Sequence, residues 1–353
     1  MTSEVDLGIL LECESWFLTS RFFPSKVGGK PAWLSLKDLP DSESLQCDSC
    51  KEPTILLCQV YAPIDDQPEC FHRTIFVFIC TNGLCCKVND VGNLKVFRSQ
   101  LPRINDFYSS NPPEEIEEDV PLALPPLCAV CGSSGRFKCG NCHLYRYCSK
   151  IHQVAHWKSG HKSLCKTLNQ ENSNLAGLLA DTSLDGFLLK EWLLDIDAEP
   201  SVMSNCDETD ELERRMSEFK LMEKNNEIGT MADVPDKELE NFAMVGDKMF
   251  MKFSKRVSLY PEQVIRFNRG GEPLWISDKN TIEPEDVPPC QYCNGPRVFE
   301  FEIMPQLLNN INVTTTRCSI DWGVLCIYTC KKSCDIGSAY KKEFIHKQDF
   351  IDK

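Results

Sequence analysis

Gly28-Gly29-Lys30-Pro31-Ala32-Trp33-Leu34-Ser35 returns near the other end of the chain as Gly270-Gly271-Glu272-Pro273-Leu274-Trp275-Ile276-Ser277. The first copy is followed by Cys47-x₂-Cys50, an apolar stretch with strand character, and Cys80-x₄-Cys85. The second is followed by Cys290-x₂-Cys293, further apolar stretches, and Cys330-x₃-Cys334. Trp33 stands 14 positions before its first cysteine and Trp275 stands 15 before its own. A fixed order of elements at matched spacing marks one supersecondary unit used twice. The predicted fold is therefore a β-dominated α+β scaffold, pseudo-symmetric and split in two, with four thiols closing each half. That build suits a binding platform.

Cysteine is the compositional outlier, with 21 among 353 residues. The first six residues hold acids and no basic stretch leading into an apolar core, so no secretory signal is expected. An odd cysteine count grouped in Cys-x₂-Cys pairs then points to metal and away from disulfides. Asn312-Val313-Thr314 is read as a chance sequon. The best apolar run, 74–80, has the length of a strand and falls far short of the roughly 20 residues of a membrane helix. A protein of the cytoplasm and nucleus, with no membrane role, is the expectation.

Net charge is −14 with 52 acidic against 38 basic residues. A phosphate-backbone binder shows a basic footprint, so direct nucleic-acid binding is disfavoured; the charge suits solubility or a basic partner. The acids concentrate in 114–119, five in six residues, and in 195–213, which holds eight and no Lys or Arg. Both stretches read as solvated linker.

Along the chain, 55–62, 74–80 and 94–97 are rich in β-branched and aromatic residues and read as strands. The predicted organisation is a first scaffold half at 1–110, a Pro/acidic linker at 111–126, and a compact Cys/His block at 127–166. A partly disordered acidic insert follows at 167–235, with one amphipathic segment near 184–194, and then the second half at 236–353. Phe242, Val245, Met249, Phe250 and Phe253 recur at three- and four-residue steps, predicting a helix over 238–256. Tyr260-Pro-Glu-Gln-Val-Ile-Arg266 reads as a short helix with Pro261 in its first turn. Strands are expected over 297–304 and 321–329.

The central block is the strongest chemical signal. It holds Cys128, Cys131, Cys139, Cys142, Cys148, His152, His161 and Cys165. Eight sulfur and imidazole ligands within about 40 residues fill two closed tetrahedral zinc sites. So small a block cannot bury an ordinary core, and structural zinc supplies folding free energy on the order of 10–16 kcal/mol per site. Spacing alone permits sequential or crossed pairing. His156 and His143 are read as non-ligands.

Four further thiols in each half, Cys47, Cys50, Cys80, Cys85 and Cys290, Cys293, Cys330, Cys334, fit two more zinc sites. Packing as small buried hydrophobes is the competing reading. Cys85 and adjacent Cys86 remain alternatives for one position. Cys13, Cys58, Cys70, Cys206, Cys318 and Cys326 lack partners by spacing and read as packing or surface residues.

The block resembles the MYND-type zinc finger, including Tyr147-Cys148-Ser149 and the His156-Trp157, His161-Lys162, Cys165 ending. That resemblance implies a cross-brace: Cys128, Cys131, Cys148 and His152 on one ion, and Cys139, Cys142, His161 and Cys165 on the other. Segments outside it carry a second resemblance. These include Phe23-Pro-Ser-Lys-Val-Gly-Gly-Lys-Pro-Ala-Trp33, Val96-Phe-Arg-Ser-Gln-Leu-Pro-Arg-Ile-Asn-Asp-Phe-Tyr108, Glu300-Phe-Glu-Ile-Met-Pro-Gln-Leu-Leu308 and Asp321-Trp-Gly323. Together they are similar to the programmed cell death protein 2 family, in which a MYND finger stands between two halves of a scaffold. The resemblance implies a non-enzymatic role in making the small (40S) ribosomal subunit. The family acts as a dedicated chaperone escorting one basic small-subunit ribosomal protein, the universal S5 homologue. The alternative is a transcriptional adaptor whose finger takes proline-containing peptides; with six Lys/Arg and no acid from Cys128 to Cys165, the finger also suits an acidic or phosphorylated partner. No adjacent Asn-His, P-loop, G-x-G-x-x-G or G-x-S-x-G is present, so an enzyme is not expected.

Overall fold

A computed structural model describes residues 5–116, 123–170, 186–200, 248–311 and 319–350. Five strands belong to the first half: β1 (Asp6–Leu11), β2 (Lys26–Val27), β3 (Ile55–Tyr61), β4 (His72–Ile79) and β5 (Leu94–Leu101). The Cys/His block adds β6 (Phe137–Lys138), β7 (Arg146–Tyr147), α1 (Lys150–His156) and α2 (Lys162–Gln170). Then follow β8 (Trp192–Ala198), α3 (Lys248–Ser258), β9 (Ile265–Phe267), β10 (Arg297–Ile303), β11 (Val324–Cys330), β12 (Tyr340–Lys342) and β13 (Phe344–Gln348).

Eleven of these strands form one sheet in the order β12-β5-β4-β3-β2-β8-β1-β9-β10-β11-β13. The two halves are interlaced. β1, from the first half, pairs with β9 of the second, and β12, from the second half, pairs with β5 of the first. Only Glu343 separates β12 at one end of the sheet from β13 at the other, so the sheet curls into a near-barrel.

Curling gives most strands two covered faces, which is why they read as continuous apolar runs. In β4, Ile75, Val77 and Ile79 face an interior cluster shared with Val27, Phe301, Ile303, Leu325 and Ile327. Phe76 and Phe78 face the opposite side, with Trp33, Phe97 and Tyr340. On the second half Phe253, Ile276, Phe299, Val324 and Tyr328 make the matching outer cluster.

Charge is also buried where the halves meet. Arg73 of β4 forks onto Glu300 of β10 at 2.6 and 2.9 Å, and both side chains are fully buried. Arg269 and the Thr329 hydroxyl bond the same carboxylate. Glu343, at the sheet closure, accepts from Arg98 Nε at 2.8 Å and Arg297 Nε at 2.9 Å. A buried carboxylate persists only when paired and fully hydrogen-bonded, which these are.

Three local expectations change. The segment 192–198, placed by its acids in the insert, is β8, a full strand between β1 and β2 at the centre of the sheet. Leu194 is buried, with Trp192 and Ile196 against the same core, while Asp195 is exposed: the amphipathic segment expected near 184–194 has the period-two alternation of a strand and extends into the acids. Tyr260-Pro-Glu-Gln-Val-Ile-Arg266 is a turn leading into β9, because Val264 and Ile265 pair into the sheet and leave Pro261 only a turn to open. The helix over 238–256 is observed as α3, from Lys248 to Ser258; Phe242 and Val245 lie outside the described residues. Most of the acidic insert, Cys206, Cys318 and the Asn312 sequon also lie outside them.

Candidate metal centres

Each Cys-x₂-Cys pair sits on the same tight turn. The N–H four residues past the first cysteine donates back to that cysteine's carbonyl: Lys51 to Cys47 at 2.9 Å, Gly132 to Cys128 at 2.9 Å, His143 to Cys139 at 3.1 Å and Asn294 to Cys290 at 2.8 Å. All four donors have positive φ, at 61°, 70°, 55° and 56°. Gly and Asn adopt that region cheaply, and the turn aims both thiols to one side. His143 thus has a backbone role and is no ligand. In the second turn of the scaffold the Gly295 N–H, the largest influence there, holds the Cys293 thiol down at about 7. That favours the thiolate a metal needs.

The remaining ligands come from strand ends and helices. Cys80 directly follows β4 and Cys330 ends β11, each next to its knuckle. Cys85 sits on a short turn (Gly83–Cys85) capped by the Asn82 side chain, which accepts from the Leu84 N–H at 3.1 Å. His152 lies on α1 and Cys165 on α2. A π-type turn (Trp157–His161), with Gly160 at φ 138°, joins these helices and delivers His161.

The structure brings the sixteen candidate side chains into four groups: Cys47, Cys50, Cys80, Cys85; Cys128, Cys131, Cys148, His152; Cys139, Cys142, His161, Cys165; and Cys290, Cys293, Cys330, Cys334. Within each group the ligand atoms all lie within 4.8 Å of one another. The finger groups are the crossed ones. Cys85 joins its group, and the Cys86 thiol turns away to the Asp321 carbonyl at 3.1 Å.

The donor spacing tests whether zinc fits. A tetrahedron with Zn–S bonds of about 2.3 Å has S···S edges of roughly 3.8 Å. Sγ···Sγ separations are 3.7 Å for Cys50–Cys80, 3.6 Å for Cys131–Cys148, 3.7 Å for Cys139–Cys165, 3.7 Å for Cys290–Cys334 and 3.6 Å for Cys293–Cys330. A disulfide needs about 2.05 Å. His152 turns Nδ1 to Cys148 Sγ at 3.1 Å, and His161 turns Nε2 to Cys139 Sγ at 3.4 Å. His156 instead meets the Tyr147 hydroxyl at 2.9 Å through Nδ1 and stacks on His161 at 4.8 Å. The donor sets fit tetrahedral zinc in closed sites, which stabilise structure and leave no position for a substrate.

The finger is docked on the first half. Trp33 Nε1 donates to the Gly132 carbonyl at 2.7 Å, inside a buried contact. A Cβ on Gly132 would lie 2.9 Å from the Lys30 Cβ, so only glycine lets this knuckle approach. Leu127 packs against the Trp33 cluster, and Arg136 faces Glu43 at 3.5 Å. Sequence reading singled out Trp33 by its repetition and gave it no partner.

Fold and sites together define a β-sheet scaffold with Cys/His metal centres, carrying a cross-braced finger between its halves. Comparison with known proteins gives the family. Models of the programmed cell death protein 2 N-terminal domain, the MYND finger and the programmed cell death protein 2 C-terminal putative domain match residues 4–115, 128–165 and 247–349. The chain is 42% identical to programmed cell death protein 2 of Bos taurus, over 98% of this chain and 97% of that one. It is 27% identical to programmed cell death protein 2-like of Homo sapiens, over 88% and 85%. A shorter match, 29% identical over 106 residues, joins 27% of the chain to 26% of the probable 20S rRNA accumulation protein 4 of Schizosaccharomyces pombe. The chain belongs to the programmed cell death protein 2 family. No solved structure matches it. Among the described residues no helix is long and apolar enough to cross a membrane.

Proposed function

We propose that this chain is a non-catalytic, zinc-stabilised escort for a basic small-subunit ribosomal protein, the universal S5 homologue, during 40S assembly in cytoplasm and nucleus. The observation that carries the reading is the match to a relative named for 20S rRNA accumulation. Two physical features support it. The chain carries −14 charge, complementary to a ribosomal protein that is basic and needs cover before it meets RNA. Its metal centres are closed, as a rigid binder needs and a metalloenzyme does not. Four zinc ions per chain, two in the finger and two in the scaffold, belong to this reading. The test is capture from cell extract with and without nuclease. Nuclease-resistant recovery of the S5 homologue is expected; recovery of chromatin factors alone would favour the adaptor. That second reading has its own support, since the finger exposes Phe137, Leu144, Ile151, Val154 and Trp157.

The scaffold is read as pseudo-twofold. The β3–β4 ladder slips at Leu57 and the β10–β11 ladder at Glu300, each seven residues past the second cysteine of its knuckle. Gly28 N–H bonds the Leu57 carbonyl and Gly270 N–H the Phe299 carbonyl. Gln59 holds the Ala32 N–H at 2.9 Å, and Glu302 holds the Leu274 N–H at 3.0 and 3.1 Å. A bulge is a built feature, and two at one offset favour a duplicated unit.

A further inference from the structure

Equivalent segments of the two halves do different things. Lys30-Pro31-Ala32-Trp33 seats the finger. Glu272, Pro273 and Leu274 instead line a cavity of about 410 Å³, which α3 covers on one side. That volume lies within the roughly 300–1,000 Å³ of ordinary ligand and peptide-anchor sites. Its apolar wall is Leu274 and Phe299, and its cationic rim is Lys252 and Lys255. Both lysines are exposed and make no ion pair among the described residues. Deeper cations are already matched: Arg256 pairs with Glu199, and Arg266 bonds Glu199 at 3.1 Å and Gln263 at 2.8 Å.

The wall carries a carboxyl where the first half has an amide. Gln59 in the first half is neutral, whereas Glu302 at the same offset is a carboxyl. Burial, opposed by Arg266 and the Leu274 N–H, pushes Glu302 up to about 8, so near neutral pH it adds little negative charge. Glu272 on the same lining offsets one of the two unpaired lysines, so the partly apolar cavity keeps a small cationic excess in a strongly acidic protein.

We propose that this cavity docks an acidic segment of a partner protein, with an apolar side chain against Leu274 and Phe299 and carboxylates facing Lys252 and Lys255. Charge complementarity selects this occupant. The basic client proposed above would be repelled by the rim, so this partner is a different one. RNA fits less well, because two lysines before an apolar wall are not the row of cations a phosphate backbone needs.

The test pans a phage-displayed random peptide library on the full zinc-loaded chain. Enriched peptides are expected to carry Asp or Glu beside Leu, Ile or Phe. By fluorescence anisotropy their affinity should fall about tenfold or more in the Lys252→Glu/Lys255→Glu double variant, since two like charges now face the ligand. Unchanged thermal melting shows that this variant folds, and unchanged capture of the basic client separates the result from the escort reading. Trp157→Ala, on the exposed finger surface, should bind the peptides as before. Peptides without acids, or acidic peptides that bind the double variant equally, overturn the proposal. So does a short polyuridylate RNA that displaces the peptides and loses its own binding in the same variant.

Discussion

The first scaffold half has its Gly-Gly-x-Pro-x-Trp segment covered, and the second has it lining a cavity. Trp33 is 1% exposed, stacks among Phe76, Phe78 and Tyr340, and donates to the finger. Trp275 is only partly buried, with its edge to His346 at 5.7 Å. The halves keep the same knuckle, the same bulge offset and the same side-chain tether from the bulged strand, β3 or β10. They differ in what each tryptophan segment faces: the first holds the docked finger and the second lines a cavity. The proposed docking site rests on that difference.

The largest expected effect comes from metal. Cys50→Ser or Cys293→Ser removes one donor from a group where bound zinc would contribute on the order of 10–16 kcal/mol. Loss of the cooperative melt is expected in circular dichroism for both. Cys142→Ser should disturb the finger and leave the scaffold melt in place. A scaffold unmoved by Cys50→Ser would show that the first half does not depend on its thiols.

Next is the buried pairing between the halves. Glu300→Gln leaves Arg73 with a poor partner inside the sheet, a change that typically costs about 3–5 kcal/mol. Denaturant unfolding should show it as a lower midpoint with one transition, because the halves share a sheet. Two separate transitions would mean that the halves fold apart.

A smaller effect distinguishes the two tryptophans. Trp33→Phe keeps most of the packing and loses one hydrogen bond to Gly132, worth about 1 kcal/mol. Amide exchange in 128–165 should accelerate. Trp275→Phe should leave those amides unchanged; equal acceleration would deny that the finger is held through the first half alone.

The smallest concerns long-range charge. Asp195 and Asp197 lie exposed on β8 and form part of the acidic stretch 195–213. Asp195→Asn/Asp197→Asn should lower the on-rate for the basic client by a few-fold at low salt and little at physiological salt, where screening acts over about 8 Å. A change in off-rate alone would place these acids in direct contact.

Legibility in the sequence followed the chemistry. Ligand spacing is local and unforgiving, so fifteen of the sixteen donors were readable from it, while Cys85 and Cys86, adjacent in the chain, needed the structure to tell them apart. Strands such as β4 and β11 were readable because both faces are buried. β8 was not, since its Trp192-Leu194-Ile196 alternation lies among acids and its partners are more than 160 positions away. The exchange of β1 and β12 between halves left no local trace, because pairing across the seam is a property of the closed sheet. Helix boundaries near Pro261 failed for the opposite reason: a good first-turn proline outvoted two β-branched residues that the sheet then claimed. Finger docking was not legible, because the contact of Trp33 with Gly132 joins residues 99 positions apart and neither carries a local sign of it.

The most direct test of two zinc-closed halves in one scaffold is elemental analysis of protein purified without chelator. Sixteen donors in four tetrahedral groups predict four zinc ions per chain. Two ions per chain, both in the finger, would reduce the scaffold centres to buried thiols and contradict the shared build of the halves.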